Sequence, residues 1–128
     1  MADQSPPAAT MAVFAGPDTA DAARTTLQAM LAHVEGPFVA DAVLLLDELV
    51  TDASRDGAAH RDLRLGLLPA PPRLRIEVTR TEPPHPAPPS TLPERGWGRL
   101  LLEDLASAWS TTTNGTQATT WAELRLPG

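Results

Sequence analysis

Apolar and polar positions alternate with two different periods along this chain, and the changes of period mark its elements. Met11 to Ala15 form a short apolar run that ends at Gly16 and Pro17, which predicts a first strand. Asp18 then stands in an N-cap position with Asp21 three residues on, and Ala20, Ala23, Leu27, Met30, Leu31 and Val34 recur at helical spacing. A first helix is therefore predicted from about Thr19 to Val34, broken by Gly36 and Pro37. Between Phe38 and Ser54 the apolar positions Val39, Ala42, Val43, Leu46, Leu49, Val50 and Ala53 are widened by Leu44 and Leu45. So broad a stripe suits a helix packed on a sheet and flanked by another helix. Gly57 after Asp56 supplies its stop.

Beyond that point the period becomes two. Leu63, Leu65 and Leu67 alternate with Asp62, Arg64 and Gly66, and Leu74, Ile76 and Val78 alternate with Arg75 and Glu77, with Pro69 to Pro72 as the turn between two strands. Six of the fifteen residues from Thr81 to Arg95 are proline, which predicts a long exposed loop. A helix is predicted from about Trp97 to Trp109, then a hairpin of Ser110 to Thr113 and Ala122 to Leu126 across the turn-like Asn114-Gly115. The order predicts an α/β protein, a two-layer α/β sandwich whose mixed sheet carries helices on one face.

Length and composition narrow the functional classes. With 128 residues the chain is read as one domain over 11–128, preceded by a disordered polar tail over 1–10 and interrupted by the proline-rich loop at 81–95. Sixteen acidic residues against ten basic ones leave a net charge of −6, and the bases, all arginine, are scattered. Direct nucleic-acid binding is disfavoured, because it needs a basic footprint. The absence of cysteine excludes disulfides and thiolate metal sites. The first residues lack the pattern of a signal peptide and no apolar run reaches membrane-spanning length, so the expected location is the cytoplasm. His33, His60 and His85 are isolated, without metal-ligand spacing, and Ser54 has no visible histidine partner.

The densest chemistry lies in the second predicted helix. Glu48, Asp52 and Asp56 fall at i, i+4 and i+8, placing three carboxylates in one row. Like charges at that spacing disfavour a helix, and Asp56 also meets the negative end of its dipole. A divalent cation bound through oxygen would offset the repulsion, with a neighbouring carboxylate free to act as general base. A solvated acidic face partly neutralised by Arg55 accounts for the same row.

Three segments resemble the ATP-binding anti-sigma-factor serine kinases of the histidine-kinase-like ATPase superfamily. Glu48 to Gly57 is similar to that family's Glu-Leu-Val-Thr-Asn-Ala-x-Arg-His-Gly motif at eight of ten positions, departing at Asp52, where the family has Asn, and at Asp56, where it has His. Ile76 to Pro83 resembles its Val-Glu-Val-x-Asp-x-x-Pro strand, with Arg80 in place of the Asp. Gly96-Trp97-Gly98-Arg99 before an apolar helix resembles its Gly-Arg-Gly-Leu motif; glycines there let backbone N–H groups approach phosphate oxygens.

The resemblance implies a Bergerat-type ATPase fold with ATP and magnesium as cofactors. It makes Glu48 the candidate catalytic base and Asp52 the candidate magnesium ligand, and places Asp52, Arg80, Gly96 and Gly98 around the nucleotide. It also implies a sigma factor or an anti-sigma antagonist as partner. Arginine donates hydrogen bonds and accepts none, so Arg80 cannot take the adenine amino proton as the family's Asp does. Three functions follow as expectations: a regulatory protein acting by contact with weak or lost ATP binding, an active ATP- and magnesium-dependent serine kinase and anti-sigma factor, and a structural domain that forms homodimers.

Overall fold

A computed structural model describes residues 10–15, 20–54, 61–69, 71–81 and 95–127. Its elements are β1 (Thr10–Ala15), α1 (Ala20–Met30), α2 (Gly36–Ser54), β2 (Arg61–Leu68), β3 (Arg73–Thr81), α3 (Arg95–Leu105), β4 (Ala108–Asn114) and β5 (Gln117–Arg125). The tail expected before residue 10 and the interior of the proline-rich loop lie outside the described residues.

The strands form one sheet in the order β1-β2-β3-β5-β4. The expected two-layer α/β sandwich is present; every pairing among the described residues is antiparallel, where a mixed sheet was expected. Hairpins explain two of the four pairings, since β2 turns directly into β3 and β4 into β5, and a tight turn can join only antiparallel neighbours; β1–β2 and β3–β5 pair across longer connections that contain the helices.

The core lies between the helices and one face of the sheet. Leu63 and Leu65 of β2, Leu74, Ile76 and Val78 of β3, and Ala122 and Leu124 of β5 are buried against Leu27, Leu45, Leu46, Leu49 and Leu102 of the helices. Each buried leucine contributes roughly 1.5–3 kcal/mol relative to an exposed one. Among the described residues no helix is long and apolar enough to cross a membrane.

Element ends moved from expectation for identifiable reasons. The apolar periodicity of α1 runs on to Val34, and Leu31 is fully buried, but the hydrogen bonds tighten to Ala32 N–H donating to Ala29 O and Val34 N–H to Leu31 O, so the helix ends at Met30. Gly36 and Pro37 start α2 rather than ending α1; the Glu35 carbonyl accepts from Val39 N–H, and proline lacks only an N–H that a first turn leaves unpaired. At the other end of the chain α3 stops at Leu105 because Ser107 donates its N–H and hydroxyl to the Glu123 carbonyl, drawing the chain onto the sheet. Trp109, expected to close the helix, lies in β4 opposite Ala122 and packs against the core. The last hairpin turns on Gly115-Thr116, with Gly115 at φ +63°, a conformation that side chains with a Cβ disfavour.

On the outer face of the sheet, charged side chains tie β3 to β5. Glu123 accepts from Arg73 Nε at 3.0 Å and from Arg75 Nη1 at 2.6 Å. Arg75 also donates to Glu77 at 2.8 Å, and its guanidinium lies 4.3 Å from the Trp121 ring centre, a cation–π distance. Arg73 reaches back to the Pro69 and Pro71 carbonyls and so fastens the β2–β3 turn.

Candidate functional site

Connectivity brings the three motif-bearing elements to one end of the sandwich. The C-terminus of α2 leads within six residues to Arg61, which pairs with Arg80 near the end of β3. The C-terminus of α3 sits at the opposite end, since Ser107 bonds to Glu123 and Glu123 faces Arg73 and Arg75. An eleven-residue helix spans about 16 Å, so the N-terminus of α3 points back toward Arg80. The end of α2, the end of β3 and the start of α3 therefore share one rim.

On α2 the side chains divide by angle. Asp47 accepts from Arg24 Nη2 of α1 at 2.8 Å, and Arg24 Nη1 also donates to Asp21 at 2.9 Å. Glu48 stands 100° further round the helix, half-buried and turned away from that α1 contact. Asp52 lies one turn on; its side chain is outside the described residues, as is the whole of Asp56. The expected carboxylate row is thus described at Glu48 alone.

Arg80 continues the core-facing set of β3 beyond Leu74, Ile76 and Val78, half-buried and opposite the buried Ala118. It faces the layer of helices at the rim where α2 ends. A donor-only guanidinium cannot fill the acceptor role that the resemblance assigns to this position. Gly96 and Gly98 fall inside the first turn of α3, which begins at Arg95, rather than in a loop before it. This corrects the expected boundary and leaves the glycines among the unpaired N–H groups of a helix start.

Sequence reasoning missed two clusters. The Arg24 bridge between Asp21 and Asp47 joins residues 23 apart on different helices, a distance at which no local pattern speaks. The Arg73–Glu123–Arg75 cluster was half visible, because Arg73, Arg75 and Glu77 alternate with the buried positions of β3, but nothing in the sequence names Glu123 as their partner. Burial alone raises the Glu123 carboxyl; the hydrogen bonds and charges of Arg75 and Arg73 together outweigh it and hold its pKa below the ordinary glutamate value. Trp121 lies beneath Arg75 on the outer face.

Comparison with protein-family models gives no match, and no curated protein matches the sequence. Among solved structures the fold is similar to that in "The crystal structure of the RsbU and RsbW domains of Rv1364c from Mycobacterium tuberculosis", with a TM-score of 0.69 and 19% sequence identity over 95% of this chain. The chain corresponds to 33% of that protein's length, and at this identity the two share a fold.

Proposed function

We propose that this protein is a regulatory domain of the anti-sigma type that acts through protein contact and binds ATP weakly or not at all. The observation that carries the reading is Arg80. It occupies the strand position at which the resemblance calls for an aspartate, on the side of the sheet that faces the helices. A nucleotide base entering there meets a donor where its amino group needs an acceptor, at a cost of about 1–3 kcal/mol for the unpaired group. Asp52 in place of the motif's Asn adds a negative charge beside any bound phosphates. The similarity of fold to a structure containing RsbU and RsbW domains supports a sigma-factor pathway as the setting.

Glu48 on α2 and the Gly96-Trp97-Gly98 segment at the start of α3 favour a second reading, an active ATP- and magnesium-dependent serine kinase, because the glutamate and the two glycines are those of the motifs that they resemble. Calorimetric titration with ATP and magnesium separates the two. The expected result is no saturable binding in the micromolar range; a magnesium-dependent micromolar complex overturns the proposal. Copurification from native lysate is expected to recover a sigma factor or an anti-sigma antagonist.

A further inference from the structure

The helical layer carries an apolar groove along the side of α2 that faces α1 and the turn after it. Leu31 of the turn after α1 forms part of its floor, and Val39, Ala40, Val43 and Leu44 of α2 form its wall. Leu44 is 45% exposed and continues the apolar lining formed by the half-buried Val39 and Val43. One end of the groove is closed by Asp47, which Arg24 bridges to Asp21.

Charge distinguishes this surface from the rest of the molecule. From Ala20 to Ser54 the sequence has six acidic residues, Asp21, Glu35, Asp41, Asp47, Glu48 and Asp52, and one basic residue, Arg24. These two helices and their turn thus hold five of the six excess negative charges of the chain. The one arginine is engaged with two of the carboxylates. An apolar groove within a field of net negative charge suits a helix with leucine-like residues on one face and lysine or arginine beside them.

We infer that the α1–α2 groove is a docking site for a basic amphipathic helix of a partner protein. The inference deepens the contact reading above and rests on it. The partner's apolar face covers Val43 and Leu44, and its basic flank lies over Asp41 and Asp47. The groove runs along α2 from Gly36 to Asp47, with Glu48 at its margin one turn beyond Leu44, and it stops short of the C-terminal end of α2 that meets the rim carrying Arg80.

The test uses the full chain and a labelled helical peptide of about 18 residues, five turns, built from leucine and lysine with an amphipathic pattern. Fluorescence anisotropy is expected to show micromolar binding that weakens with salt. A scrambled peptide of the same composition and a leucine–glutamate counterpart are expected to bind at least tenfold more weakly. Leu44→Gln should weaken binding about tenfold, the loss expected for one buried leucine contact. Ala40→Arg, which adds bulk and a positive charge to the groove wall, should do the same. Leu100→Gln on α3, where the leucine is 56% exposed but outside the groove, should leave affinity unchanged. All three positions are exposed, and unchanged circular dichroism verifies the fold.

Equal loss for Leu44→Gln and Leu100→Gln, equal binding of the scrambled or acidic peptide, or no binding at all overturns the inference. So does a homodimer of the unmodified chain that Leu44→Gln dissociates, since a second copy would then fill the groove. ATP titration of the same samples keeps the two readings apart. Micromolar ATP binding with peptide binding intact defeats the weak-nucleotide reading and leaves the groove, and absence of both does the reverse.

Discussion

Replacing Glu123 with glutamine removes one negative charge from between two arginines and leaves the side chain's shape nearly unchanged. The Glu123 side chain is 16% exposed, and it accepts from Arg73 at 3.0 Å and Arg75 at 2.6 Å. Hydrogen bonds to charged groups contribute about 1.5–3 kcal/mol each when buried, whereas exposed ion pairs contribute about 0–1 kcal/mol. Glutamine keeps one acceptor oxygen, and Arg75 retains Glu77 and the Trp121 ring. The net loss at neutral pH is therefore about 1–2 kcal/mol, which lowers the melting temperature by roughly 4–8 °C in a domain of this size.

The pH dependence carries the diagnosis. Folding lowers the Glu123 pKa, so its contribution is fully present above the unfolded value of about 4.3 and is lost as pH falls through the lower folded value. Differential scanning calorimetry of the two proteins should show the full gap at neutral pH and a smaller gap at about pH 3, below the ordinary glutamate value. An equal gap at both pH values, or none at neutral pH, refutes the assignment of this stability to the charged cluster.

Gly115→Ala should cost about 1 kcal/mol in thermal unfolding. No atom lies within 4 Å of the added Cβ, so the cost is backbone strain at φ +63° alone, and Gly115→Asn should recover most of it. The double substitution Asp52→Asn with Arg80→Asp restores both motif residues of the resemblance; it should remain folded and acquire magnesium-dependent ATP binding in calorimetry, and no binding by the folded variant would locate the loss of affinity elsewhere.

Much of the fold was legible because most of its elements bury one face. The alternation of Leu74, Ile76 and Val78 with charged residues identified β3 and its inner face, and the broad stripe from Val39 to Val50 identified α2. What escaped were decisions made between elements. Trp109 fits the helical spacing of α3, yet Ser107 finds a partner in β5 and the tryptophan joins the sheet. Gly36-Pro37 reads as a break and is a beginning, because proline is compatible with either side of a helix boundary. At the candidate site the residue types were legible, while their convergence depends on how α2, β3 and α3 run relative to one another, which no local pattern encodes.

The position of β1 has a kinetic consequence. Its neighbours in the sheet come from distant chain, Thr10 against Leu67 and Ala15 against Asp62, whereas β2–β3 and β4–β5 close through turns of a few residues. Closing a loop of about fifty residues is entropically slower than closing a hairpin, so β1 is the strand whose docking waits for the two helices between it and β2. Until then its six residues, without charge or proline and with Met11 and Val13 still 52% and 61% exposed in the finished fold, are the segment most open to pairing with another nascent chain. The edge of the sheet is thus the point at which the speed of folding sets the risk of aggregation.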